Sequence, residues 1–129
     1  MDLELRMDVA RALGCDPEMV TVNDEFPDLP VCRCEDRRHG PMENDILPAL
    51  LEFYELDDHD ALDALKEFCK TNILKFTVTY LPRGFLDGRD FYEVVIYSDN
   101  FKYGAISMVE SSLATAACLA IQAAAKGGR

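Results

Sequence analysis

The sequence predicts an α+β domain: a three-stranded antiparallel meander packed against helices. Three observations carry that expectation. Apolar residues recur at helical spacing from residue 45 to 70, at a period of two from residue 73 to 98, and at helical spacing again from 113 to 126. Stretches rich in Gly, Asp and Asn separate the alternating runs. With 129 residues, 49% of them hydrophobic and 29% charged, the chain has the size and composition of one globular domain, residues 1–129.

The elements follow in order. Leu3, Met7, Ala10 and Leu13 share one face of a short opening helix, and Gly14 stands where a left-handed residue would end it. Residues 15–42 read as a long irregular loop, because Pro17, Pro27, Pro30 and Pro41 interrupt regular structure; only Val20–Val22 and Val31–Cys34 suit brief extended pieces. In "NDILPALLEFYEL", Asp45 is placed to cap a helix whose first turn tolerates Pro48 and whose stripe is Leu47, Leu50, Leu51 and Tyr54. A further helix, "DALDALKEFCK", turns Leu62, Leu65, Phe68 and Cys69 inward. The run "DDHD" at residues 57–60 sets negative charge at its N-terminal end.

"ILKFTVTYL" then alternates Leu74, Phe76, Val78 and Tyr80 with Lys75, Thr77 and Thr79, the pattern of a strand with one buried face. The turn "PRGFLDGRD" leads into a second strand, "FYEVVIYS", and Asp99-Asn100 into a third, "FKYGAI". Ser107 and Glu110 have capping-box spacing for the last helix, and Ser111 or Ser112 would cap a later start. That helix, "SSLATAACLAIQAAAKGG", is made largely of alanine. Leu113, Ala117, Ala120 and Ala124 form one stripe bordered by Ala116 and Ile121, and the small side chains let its backbone lie close to a crowded sheet. Lys126 and the glycines 127 and 128 close it.

Two known arrangements share this order. Residues 44–126 resemble a double-stranded RNA-binding domain, whose final helix is also alanine-rich. In that family lysines at the start of the last helix contact phosphates, whereas here the sequence is "ESSLATAA". Without those cations, and on an acidic chain, direct nucleic-acid binding is not expected. The wider resemblance is to the phage ABA sandwich domain family. "VARALGC" is similar to the end of its opening helix, "MENDILPAL" to its next helix start, and "ATAACLAIQAAAK" to its closing helix. "DHDALDALKEF" is additional to that pattern, and the aromatic strand is represented by "DFYEVVIY" alone. The resemblance implies a phage or prophage origin and helices on an antiparallel sheet, and it brings neither an activity nor site residues.

The net charge of −11 is one-sided: residues 1–60 hold 17 Asp and Glu against 5 Lys and Arg, and residues 61–129 hold 7 against 8. Such a surface repels phosphate backbones and anionic membranes and attracts basic partners. The start "MDLELRMDVARALG" lacks the pattern of a signal peptide, and no apolar run is long enough to span a bilayer. Five cysteines at irregular spacing read as free thiols, which points to a reducing cytoplasm, and the phage resemblance implies that of a bacterial host.

The expected function is that of a small non-enzymatic accessory protein that binds another protein, with no cofactor. Asp24, Glu25 and Asp28 on the loop and Asp57, Asp58 and Asp60 at the helix junction are the candidate partner-binding carboxylates. An acidic inhibitor that imitates nucleic acid is one alternative. A metal-dependent enzyme is another, resting on Cys15, Cys32, Cys34 and His39 around "CRCEDRRH". The single residue between Cys32 and Cys34 differs from common zinc knuckles, and Arg33, Arg37 and Arg38 oppose a dication, so free thiols are the expectation. His59 among Asp57, Asp58 and Asp60 fits a helix start better than a metal site, because adjacent residues there point apart.

Overall fold

The computed structural model describes residues 3–14, 17–20, 29–32, 56–86 and 88–127. Helix α1 (Leu3–Ala12) closes where the Leu13 N–H donates to the carbonyls of Val9 and Ala10, and Gly14 takes φ 94°, the left-handed conformation its position suggests. The buried face of α1 differs from the expected one. Leu5, Arg6, Val9 and Ala10 turn inward, while Met7 and Leu13 are only half-buried. Leu5 and Val9 stand one turn apart, so either register is helical; the seat of α1 on the last helix selects this one.

Part of the segment expected to be irregular is a strand pair. Strands β1 (Pro17–Val20) and β2 (Leu29–Cys32) run antiparallel, with Pro17 opposite Cys32 and Val20 opposite Leu29. Both begin before the extended pieces expected at Val20–Val22 and Val31–Cys34. Among the described residues each strand of this pair has one edge without a neighbouring strand, which is where Pro17 and Pro30 can stand without breaking a ladder. The helix expected between Asp45 and Tyr54 lies outside the described residues.

Helix α2 (Asp58–Asn72) buries Ala61, Ala64, Leu65, Phe68 and Cys69, and leaves Leu62 half-buried. Strands β3 (Lys75–Leu86), β4 (Arg89–Tyr97) and β5 (Ala105–Glu110) form the antiparallel meander in the order β3-β4-β5. The first hairpin closes from Leu86 to Arg89, and Gly88 supplies the φ of 67° there. The third strand starts later than "FKYGAI" suggests. Ser98 N–H donates to the Gly104 carbonyl at 3.1 Å and Gly104 N–H to that of Phe101 at 3.0 Å, so residues 98–104 form a closed loop. Phe101, expected in a strand, fills the core from that loop instead.

The period-two reading of β3 holds only at its start, where half-buried Leu74 and Phe76 alternate with exposed Lys75 and Thr77; from Thr77 to Tyr80 every residue is exposed. Val78 and Tyr80 are corrections: Val78 stands opposite buried Val94, yet it is 38% exposed and Tyr80 50%, so neither is a core residue. The last helix, α3 (Leu113–Ala125), packs on β4 and β5, so the cover stops short of the distal part of β3. Ser112 caps α3 by accepting the Thr115 N–H at 3.3 Å; Ser107 belongs to β5, so the capping box with Glu110 does not form.

Helix α3 has the sheet on one side and α1 and α2 against its others. Eight of its thirteen residues are buried, among them the whole expected stripe of Leu113, Ala117, Ala120 and Ala124 and both borders, Ala116 and Ile121. Among the described residues, no helix is long and apolar enough to cross a membrane.

Because Ala120 has no exposed surface and Ala125 is exposed, the two give opposite responses. Ala120→Leu should destabilise by about 1 to 3 kcal/mol through overpacking, and Ala125→Glu should change stability by less than about 0.5 kcal/mol, both read from denaturant melts.

Candidate binding end

The expected acidic residues divide. Asp57, Asp58 and Asp60 gather at the start of α2, where the Asp60 N–H donates to Asp57 Oδ1 at 2.7 Å. The Asp60 carboxyl is pushed above its ordinary pKa, first by desolvation and then by the charge of Asp57. His59 Nε2 stands 3.4 Å from Asp63 Oδ2, one turn on. These groups start a helix, as the capping explanation of "DDHD" requires. Asp24, Glu25, Asp28, Cys15, Cys34 and His39 lie outside the described residues; Cys32 belongs to β2, but its side chain is outside them too. Among the described residues no three His, Cys, Asp or Glu side chains are grouped to hold a metal ion. Burial pushes the Cys69 thiol up to about 11 and that of Cys118 up to about 12.

A different site is built at the opposite end of α2. The C-terminal turns of α1, α2 and α3 all border one open cleft of about 560 Å³. Phe68, Leu74 and Phe101 give it an apolar floor, and Asp8, Arg11, Asn72, Asn100 and Lys126 a polar rim. Asp8 ties two helices together: Gln122 Nε2 on α3 donates to its Oδ2 at 2.8 Å and Arg11 Nη1 to its Oδ1 at 2.8 Å. The Gln122 hydrogen bond, helped by the hydrogen bond and charge of Arg11, holds the Asp8 carboxyl below its ordinary pKa against an opposing effect of desolvation. Arg11 and Lys126 also stand where helix ends present unpaired carbonyls, and so offset the negative ends of their helices.

A second groove adjoins the first through Leu74, Ser98 and Asn100 and continues past Ile73, Lys75 and Tyr97. Lys75 Nζ lies 5.1 Å from the centre of the Tyr97 ring, and Lys102 Nζ 5.3 Å from that of Tyr103. Two large apolar residues project here: Ile73 is 92% exposed and Tyr103, beside Gly104 of the groove, 83% exposed.

Ile73 is also conformationally out of place. Helix α2 ends with Leu74 N–H donating to the Cys69 carbonyl at 2.8 Å and Ile73 N–H to that of Lys70 at 3.4 Å, the Schellman pattern that favours glycine. Ile73 fills that position at φ 54° and ψ 53°, a left-handed conformation costly for a β-branched side chain. Asn72, the better residue for it, is held in the helix because its Nδ2 donates to the Phe68 carbonyl at 2.9 Å. Neither the exposed pair nor the Asp8–Gln122 tie was read from the sequence. The available signal was "TNIL", a helix end with no glycine to close it.

Compared with known proteins, the chain matches no family model, no curated protein and no solved structure.

Two outcomes follow from this geometry. Ile73→Asn relieves the left-handed strain without losing burial, so it should stabilise the fold by about 1 kcal/mol in thermal or denaturant melts. Asp8 has a folded pKa below its unfolded one. Its contribution is therefore full above about pH 4 and is lost as pH falls through the folded pKa. Gln122→Ala should raise the Asp8 pKa in an NMR titration and reduce the share of stability lost over that acid range.

Proposed function

We propose that this chain is a small non-enzymatic accessory protein that binds another protein through the end where its three described helices stop. The observation that carries this reading is the pair Ile73 and Tyr103, projecting at 92% and 83% exposure beside two joined grooves. Large side chains that project from a rim suit insertion into a partner's surface, and tyrosine is among the residues that concentrate binding energy. Apolar Phe68, Leu74 and Phe101 between polar rims give the layout of a protein contact, an apolar centre within a hydrophilic margin. Lys75, Lys102 and Lys126 at this end favour carboxylates on the partner's rim.

The setting belongs to the same proposal. The element order that resembles phage ABA sandwich domains supports a phage or prophage protein, and the free buried thiols of Cys69 and Cys118 suit the reducing cytoplasm of a bacterial host.

The test pairs function with stability. The double variant Ile73→Asn with Tyr103→Ser should keep or gain melting temperature and lose the proteins that the wild-type chain captures from a bacterial lysate. Capture of the same proteins by the variant would place the contact elsewhere.

A further inference from the structure

On the premise that the three-helix end is where this chain binds its partner, we infer that the partner enters as an extended segment carrying apolar and acidic side chains together. Its apolar residues fill the floor of Phe68, Leu74 and Phe101, and its carboxylates lie beside Lys75 and Lys102.

Shape favours an extended occupant. The cleft among the helix ends and the groove past Ile73 and Tyr97 each hold about 560 Å³, and they join through Leu74, Ser98 and Asn100. The convex surface of a folded partner rests on the rims of such a trough and leaves its floor in water. An extended chain, whose successive side chains point to alternate sides, can fill both hollows with its backbone running between them. Polar groups stand along the trough to meet that backbone. Asn72 Nδ2 donates to the Phe68 carbonyl at 2.9 Å, which leaves Oδ1 of the same amide as an acceptor. Asn100 is exposed where the grooves join. Its backbone N–H donates to Ser98 Oγ at 3.1 Å, and its side-chain amide can both donate and accept, as a peptide backbone requires.

Charge selects the side chains. The whole chain has 24 Asp and Glu against 13 Lys and Arg, so carboxylates are in excess for pairing with its cations. Yet Lys75 and Lys102 hold their ammonium groups 5.1 and 5.3 Å from the ring centres of Tyr97 and Tyr103, and among the described residues neither these two nor Lys126 forms an ion pair. Arg11, by contrast, is matched by Asp8 at 2.8 Å. Asp99 is the one carboxylate lining the second groove. Three ammonium groups thus stand at this end against one unmatched carboxylate, a local positive excess on an acidic molecule. An ammonium has three donors and the ring takes up one side of it, so a carboxylate can approach from the other. A basic segment of equal apolar content brings like charges together there and is rejected.

The experiment selects random displayed peptides of about twelve residues, long enough to run extended across both grooves, on the intact chain. The synthetic consensus peptide is then measured by fluorescence anisotropy. Selected peptides should carry net negative charge together with large apolar residues. Lys75→Glu with Lys102→Glu should weaken the consensus peptide by about ten-fold or more at low salt, with circular dichroism and melting unchanged, since both side chains are exposed. Should that pair fail to fold, Lys102→Glu alone, on the loop, decides. A peptide whose carboxylates are replaced by lysines should bind the charge-reversed chain better than the wild type, a rescue that lost packing does not produce. Selection of neutral or basic peptides, no selection at all, or an acidic consensus indifferent to the charge reversal overturns the inference. The protein-binding reading stands or falls separately, on whether Ile73→Asn with Tyr103→Ser loses the proteins captured from lysate.

Discussion

The fold depends on how closely the backbone of α3 can approach its neighbours. That helix is in contact with β4 and β5 as well as with α1 and α2, and the residues that meet this demand are small: Ala114, Ala116, Ala117, Ala120 and Ala124 are all buried. The helix beside it answers in kind, with Ala61 and Ala64 on the buried face of α2. Larger groups such as Leu65, Phe68 and Ile121 fill the remaining interior. An alanine removes little apolar area from water, so the gain lies in dense packing of backbone on backbone more than in the area each side chain contributes. The arrangement tolerates loss of a methyl poorly and gain of one no better.

This constraint also explains which parts of the fold were legible in the sequence. The stripe of α3 and the alternation in β4 are periodic signals that describe the structure, and that of β3 does so only as far as Phe76. The boundary of β5 was not legible, because "FKYGAI" alternates like a strand. The difference comes from hydrogen bonds between Ser98 and Gly104 and between Gly104 and Phe101, which no local pattern reveals. Val78 was misjudged for a tertiary reason: period fixes the face a residue occupies, whereas burial depends on how far the covering helix extends. The inner face of α1 failed similarly, since Leu5 and Val9 are as helically spaced as Leu3 and Met7. The candidate binding end was least legible, because it is assembled from the last turns of three helices and a loop distant from them in sequence.

The charge distribution takes on a different meaning in three dimensions. Asp57, Asp58 and Asp60 stand at the positive end of α2, while Arg11 and Lys126 stand near the negative ends of α1 and α3. Much of the asymmetry read along the described part of the chain thus complements helix dipoles. A carboxylate engaged in capping, as that of Asp57 is, has less of its hydrogen-bonding capacity left for a partner. The cations Arg11 and Lys126 at the opposite end border apolar surface.

The two buried thiols turn the alanine packing into something that can be timed. Cys69 sits on α2 and Cys118 on α3, with their pKa values pushed up to about 11 and about 12. The thiolate is the form that reacts with an alkylating reagent, and burial both disfavours that form and restricts access to each sulfur while the helices stay together. Each therefore reacts chiefly from conformers in which its surroundings have come apart. When closing outpaces alkylation, the rate at each sulfur reports the free energy of that local opening. The chain thus carries two intrinsic clocks, one on each of two packed helices, whose agreement or divergence distinguishes a core that breathes as a unit from one that opens a helix at a time.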